Sequence, residues 1–265
     1  MGEVIRFHPY GTGLATATTA SRVVAVASGK GGVGKTWLAV TLAHALARQG
    51  RRVLLLDGDF GLANVDIQLG LHPEHDLASV IAGRAGLEDA CQRVTSGGFD
   101  VLAGRSGSGD LASVDAASLG RVLEALAPAS RRYDHVLLDL GSGLDRSVRR
   151  MAAAADLLLV IVTDEPSSIT DAYVTLKLHA ADRPDGAARI VVNQAASAAA
   201  GERTYATLAR ACEAFLRRRP PLAGIVRRDG RVADAIRRQT LLLTRHPASP
   251  AGEDVERVAL NLMGC

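Results

Sequence analysis

Short apolar blocks recur along the chain, at 23–27, 53–56, 99–102, 135–139, 157–162, 189–193 and 223–226. Most are continuous rather than alternating, as expected of strands buried on both faces. Between them the apolar spacing changes to a helical repeat, at 36–49, 115–127, 167–181 and 203–218. Strand then helix, repeated, predicts βαβ units, and these require a parallel sheet with right-handed crossovers. The expected fold class is α/β. One domain over 22–265 would hold a mostly parallel twisted sheet of about seven or eight strands, with helices on both faces. Segments 104–109 and 195–201 read as surface loops, and one last short helix follows 247–252. Residues 1–21 contain no charged start followed by an apolar core, so they read as a flexible N-terminal arm and not as a signal peptide.

Composition narrows this picture. Hydrophobic residues are 48% of the 265, yet aromatics are only 3%, so the core must be built from Ala, Val and Leu. No apolar run approaches the ~20 residues that cross a bilayer. Cys91, Cys212 and Cys265 form no CxxC pair, which argues against zinc, an iron–sulfur cluster or a disulfide framework. A cytoplasmic chain is the simpler reading. The net charge is only +3, but between residues 201 and 246 eleven arginines face four acidic residues. These are either solvated helix faces or a surface for the phosphates of nucleic acid or lipid.

The first predicted strand runs directly into Gly29-Lys30-Gly31-Gly32-Val33-Gly34-Lys35-Thr36, where a helix begins. This is the strand–loop–helix context that the GxxxxGK[ST] pattern needs, and it predicts a single-domain P-loop NTPase. The glycines let successive N–H groups point inward at phosphate oxygens, and the helix N-terminus adds its dipole. Lys35 would supply charge to the β- and γ-phosphates, and Thr36 a hydroxyl to Mg²⁺. Lys30 is a second lysine, five residues before Lys35, and can point away from its own nucleotide.

Nucleotide hydrolysis needs carboxylates around the metal and a group to position water. One strand ends in Asp57-Gly58-Asp59 and another in Asp139-Leu140-Gly141-Ser142-Gly143. Both carboxylate sites fall at the C-terminal ends of predicted parallel strands, where open α/β sheets bind ligands. A lone strand-end Asp often only caps a turn. Two such ends beside a phosphate loop point to a metal site.

The string 28–36 resembles the MinD/ParA group of ATPases with a deviant Walker A motif. In that group the early lysine reaches the partner's phosphates across a nucleotide-sandwich dimer. The resemblance therefore implies that Lys30 makes ATP part of a homodimer interface, formed with ATP and released after hydrolysis. It assigns Asp57 and Asp139 to magnesium-bound waters, Asp59 to orienting the attacking water, and Gly143 to the second switch. It assigns Asn193 to the adenine base, Glu165 to the partner's ribose and Asp171 to the dimer seam. The stretches 57–71 (Asp-Gly-Asp-Phe-Gly-Leu-Ala-Asn-Val-Asp-Ile-Gln-Leu-Gly-Leu) and 164–173 are similar to the FlhG/FleN branch, which controls flagellar number and placement. The implied cofactors are ATP and Mg²⁺, and the implied partner is a flagellar regulator or assembly protein.

Departures from the group set alternatives. Trp37, the single tryptophan, stands where a small or polar residue is usual, so it would pack under the nucleotide or fill the sheet. The segment 226–229 lacks the usual proline. The arm lacks the segment through which some members stimulate a GTPase partner. Arg217, Arg218, Arg219, Arg227, Arg228, Arg237 and Arg238 favour a ParA-like alternative that binds DNA non-specifically through the Arg-rich C-terminal half. The group often ends in a basic membrane-inserting helix. Here Glu253, Asp254 and Glu256 would be repelled by anionic lipid, while Val255, Val258, Ala259 and Leu262 share one face. A final core-packing helix is expected, with a peripheral position at the inner membrane as the alternative. Metal-cluster carriers of the same fold need paired cysteines, which this chain lacks.

Overall fold

A computed structural model of the chain describes residues 22–104 and 116–264. The eight strands are β1 (Arg22–Ser28), β2 (Val53–Gly58), β3 (Cys91–Val94), β4 (Phe99–Leu102), β5 (His135–Ser142), β6 (Leu157–Val162), β7 (Ala187–Ala195) and β8 (Leu222–Arg227). They form one sheet in the order β3-β4-β2-β5-β1-β6-β7-β8. Every pairing is parallel except β3 with β4. Strands β1, β2 and β6 are buried almost throughout, which accounts for their unbroken apolar text.

Alternate residues of each strand feed two separate apolar layers. Val24, Val26, Val53 and Leu55 pack with α1 (Lys35–Arg48), α10 (Leu242–Arg245) and α11 (Pro250–Met263). Val23, Ala25, Leu54 and Leu56 pack with α3 (Leu77–Ile81), α5 (Ala116–Arg132), α6 (Arg146–Ala154), α7 (Pro166–Asp182) and α8 (Ala198–Leu216). Both faces of the sheet are thus covered. The remaining helices, α2 (Val65–Leu69), α4 (Leu87–Ala90) and α9 (Gly230–Arg237), are short. In α11, Val255, Val258, Ala259 and Leu262 are at most 1% exposed, so the core-packing expectation for this helix holds.

Three differences from the sequence reading have physical causes. Strand β3 was not anticipated, because Cys91-Gln92-Arg93-Val94 carries no apolar run and pairs only at the sheet edge. The expected loop at 195–201 gives way to α8 from Ala198, where Ser197 caps the helix by accepting from the Ala200 N–H at 3.1 Å. Strands β5 and β7 run longer than predicted and carry their polar ends to the ligand edge. The arm at 1–21 and the loop residues 105–109 lie outside the described residues.

Candidate nucleotide site

The loop between β1 and α1 curls over the C-terminal edge of the sheet. Gly32 and Gly34 have φ of 79° and 83°, a left-handed backbone that side-chain-bearing residues resist. Gly34 is the N-cap of α1, and its carbonyl accepts from the Leu38 N–H at 3.0 Å. The first turn of α1 therefore opens toward the loop, where a phosphate would meet the positive end of the helix. Gly29 lies against α7. A methyl group there would come within 2.5 Å of the Asp171 carbonyl oxygen. Asp171 is thus packed against the phosphate loop of its own chain.

Strand pairing sets the acidic residues. Asp57 of β2 and Asp139 of β5 are direct register partners, and their side chains are 1% and 0% exposed. Asp57 accepts from the N–H groups of Asp59 (3.1 Å), Asn64 (2.8 Å) and Val65 (3.0 Å). Even so, burial first and the Asp139 charge second push its pKa up from 3.8 to about 7. Burial likewise raises Asp139, against the pull of Lys35 and of a hydrogen bond with Thr36. Lys35 Nζ donates to Asp139 Oδ1 at 3.3 Å, while Asp139 Oδ2 is buried with no hydrogen-bond partner.

Two mutually repelling carboxylates, an orphaned oxygen and an adjacent threonine hydroxyl fit a hard cation. Thr36, Asp57 and Asp139 are the residues that would hold Mg²⁺. Among the described residues no cluster of three His, Cys, Asp or Glu side chains forms a metal site by itself. A cation here would share its coordination with phosphates and water, the usual habit of Mg²⁺.

Asp59 turns into the same cleft, where its Oδ1 accepts from the N–H groups of Gly61 (3.1 Å) and Leu62 (2.9 Å). Gly141 lies beside its carboxylate, so the β2 and β5 ends meet there. Gly143 closes the β5 end by donating its N–H to the Ser28 carbonyl at 3.1 Å. Lys30 points elsewhere. Its ammonium pairs with Glu165 and donates to Ser167 Oγ at 2.9 Å, both at the start of α7. Glu165 is the N-cap position of that helix.

Asn193 is 2% exposed, and its Nδ2 donates to the Val33 carbonyl at 2.8 Å. In this structure the amide tethers β7 to the phosphate loop. Gln194, at φ 57°, adds a second tether to the Gly32 carbonyl at 3.3 Å. The cleft over the loop has a volume of about 670 Å³, and Gly31, Val33, Lys35, Thr36 and Asp59 line it. Trp37 lines it as well and is only 6% exposed, so it joins the core and the cleft wall together. Sequence reading missed the opposite wall, formed by Leu62, Ile67, Ile236 and Gln239. Gln239 Nε2 donates to the Ile67 carbonyl at 2.7 Å and so joins α2 to the end of α9.

The arginines of the C-terminal half are not equivalent. Arg227 is held by Asp254 at 2.8 Å, and Asp254 is 2% exposed. Arg238 and Arg245 are both paired with Asp234, at 3.1 and 2.6 Å. Arg217, Arg218 and Arg219 stay exposed at the end of α8.

Comparison with known proteins agrees with this geometry. The CobQ/CobB/MinD/ParA nucleotide binding domain family matches residues 24–242. Antiactivator FleN of Pseudomonas aeruginosa is 37% identical over 238 residues, covering 90% of this chain and 85% of FleN. Flagellum site-determining protein YlxH of Helicobacter pylori is 29% identical over 189 residues, covering 71% of this chain and 63% of YlxH. The cell division ATPase MinD of Pyrococcus furiosus superposes with a TM-score of 0.78 at 24% identity, covering 92% of this chain and 99% of MinD. A phosphate loop on a matching sheet, with paired acidic strand ends beside it, makes this chain a member of the CobQ/CobB/MinD/ParA nucleotide-binding family and an ATPase of its MinD/ParA group.

Proposed function

We propose that the chain is an ATP-controlled dimerising switch that acts in the control of flagellar number or placement. The names of its relatives, an antiactivator and a flagellum site-determining protein, support the biological role. The observation that carries the switch is the direction of Lys30. Its side chain is 35% exposed, and its ammonium faces Glu165 and Ser167 instead of its own Lys35–Asp139 pair. An exposed ion pair of this kind is worth only about 0–1 kcal/mol. The charged phosphates of a nucleotide on a second copy compete with it easily. Lys30 is therefore free to exchange an internal partner for one across a dimer seam, with Glu165 and Asp171 beside that seam.

Within one subunit, the N–H groups around Gly34 and Lys35 cradle phosphate, and the Lys35 ammonium neutralises the β/γ region. When bound, Mg²⁺ supplies positive charge to the phosphate oxygens. Thr36, Asp57 and Asp139 would hold it, the two aspartates through its water shell. Asp59 holds the attacking water in line, and its hydrogen bonds to Gly61 and Leu62 fix its rotamer. Asn193 keeps the loop in register through the Val33 carbonyl, and contact with the adenine base is its proposed further role.

Hydrolysis that needs two subunits has a kinetic signature. ATP turnover per chain should rise with protein concentration and then saturate. The Asp59→Ala variant should bind ATP normally and turn over at background rate. Turnover per chain that is constant across all concentrations would contradict the dimer requirement. A ParA-like DNA role has less support, because Asp254 and Asp234 already engage Arg227 and Arg238. ATP-dependent, steeply salt-sensitive binding to random duplex would restore that role.

A further inference from the structure

Lys30, Lys35 and Arg237 are the cations that line the cleft over the phosphate loop. Lys30 is paired with Glu165, and Lys35 with Asp139. Arg237, in the last turn of α9, lines the wall opposite the loop, and among the described residues it makes no ion pair or hydrogen bond. Its neighbours are engaged. Arg231 donates to the Ala248 carbonyl at 3.2 Å, and Asp234 takes Arg238, Arg245 and His246. Asp59 is the one carboxylate of the described lining, and its Oδ1 accepts from the Gly61 and Leu62 N–H groups.

The turn that presents Arg237 is strained. α9 closes with the Gln239 N–H on the Ile236 carbonyl and the Thr240 N–H on the Ala235 carbonyl, both at 3.0 Å. That double closure needs a left-handed residue at its centre, a place usually filled by glycine. Here the residue is Gln239, at φ 52°. A residue with a side chain persists in that conformation where its surroundings enforce it, often beside a functional site. What the side chain supplies is a tether. Its Nε2 donates to the Ile67 carbonyl at 2.7 Å, and it packs over Gly70, where a methyl group would meet its Oε1 at 3.2 Å. The start of α2 is anchored in turn by Asp57, which accepts from the Asn64 and Val65 N–H groups. The far wall of the cleft is thus braced, through α2, to a carboxylate of the candidate metal site.

Around Arg237 this wall is apolar and open: Leu62, Ile67 and Ile236 are 77%, 56% and 38% exposed. A guanidinium without a carboxylate, set among them and facing a loop shaped for phosphate, has its anion in the nucleotide itself.

We propose that Arg237 is a further nucleotide-binding residue, whose forked donors meet phosphate oxygens from the side opposite Gly34 and Lys35. Gln239 is its positioning residue, because the strained turn and the Ile67 tether hold the end of α9 over the cleft. The contact lies within one subunit, so it does not depend on whether ATP joins two copies.

The test is calorimetric titration of the intact protein with Mg-ADP. Arg237→Gln should weaken binding roughly tenfold, as loss of a charged hydrogen bond does. Arg237→Lys should fall between that variant and the parent, because an ammonium keeps the charge and loses the fork. Arg245→Gln removes the same charge from α10, outside the cleft lining, and should leave affinity unchanged. Gln239→Gly should weaken Mg-ADP several-fold while the thermal midpoint holds, since relief of the left-handed strain offsets the lost tether. Arg237→Gln protein that binds Mg-ADP as tightly as the parent overturns the proposal, as does equal weakening by Arg245→Gln. Parental affinity in Gln239→Gly overturns the positioning role of that residue.

Discussion

Replacing Asp57 with Asn should stabilise the nucleotide-free protein at alkaline pH while removing its Mg-dependent turnover. The side chain is 1% exposed and faces Asp139 across the β2–β5 register. Its pKa of about 7 in the folded state compares with 3.8 for an unperturbed aspartate. Between those values the folded protein holds a proton that the unfolded chain has lost. Stability therefore falls as pH rises through that window, and the charged form carries its full cost above pH 7. At 1.36 kcal/mol per pKa unit, that cost reaches about 4 kcal/mol at most. Asn resembles the protonated acid, so the variant avoids the cost and loses about 1 kcal/mol where its NH₂ group meets the Asp59 N–H.

His44 and His179, both lowered to about 4 by burial, act in the opposite sense below pH 6.5. Variant and parent must accordingly be compared at each pH. At about 2–4 °C per kcal/mol for a chain of this size, the midpoint gap should widen by up to roughly 10 °C between pH 5 and pH 8. Thermal unfolding followed by circular dichroism reads this directly. A gap that stays the same at both pH values would refute the claim that this carboxylate is strained while it lacks a cation.

Four further outcomes follow from particular contacts. Gly29→Ala should lower ATP affinity by tenfold or more in a binding assay, because its methyl group would overlap Asp171 at 2.5 Å and displace the loop. Asn193→Ala should raise the Kd for ATP about tenfold, since the Val33 carbonyl loses its buried donor, and an unchanged Kd would remove the tether from the account. Asp254→Ala should cost about 1–2 kcal/mol in urea unfolding, because the Arg227 main-chain N–H and its guanidinium both lose the carboxylate that accepts from them, while the partly exposed guanidinium can turn to water. Binding of Mg-ADP should quench or shift the fluorescence of Trp37, the one tryptophan of the chain, and a flat titration would take that ring out of the cleft wall.

Local features of the fold were legible because each is written in consecutive residues. The phosphate loop is one such string, and the apolar blocks that stop at Asp57 and Asp139 are another. Their parallel pairing followed from strand–helix alternation. What escaped depends on distant neighbours. The contact of Lys30 with Glu165 and Ser167 joins residues more than a hundred positions apart, and so does the tether from Asn193 to Val33. Gly201 suggested a loop, but it sits inside α8 because Ile225 comes within 2.4 Å of where a methyl group would stand. The arginines of the C-terminal half left two readings open, solvated helix faces or one surface for phosphates. Buried Asp254 and shared Asp234 divide that set; the i,i+4 spacing of Asp234 and Arg238 is readable in the sequence, whereas Asp254 lies 27 positions from Arg227 and only the fold brings them together.

The central claim is that ATP itself joins two copies through Lys30. Light scattering on the purified chain, without nucleotide and with Mg-ATP, tests it most directly when Lys30→Ala is measured in parallel. The account predicts that mass doubles with Mg-ATP in the parent, while Lys30→Ala binds ATP and stays at the mass of one chain. A Lys30→Ala protein that doubles its mass with ATP as fully as the parent would contradict it.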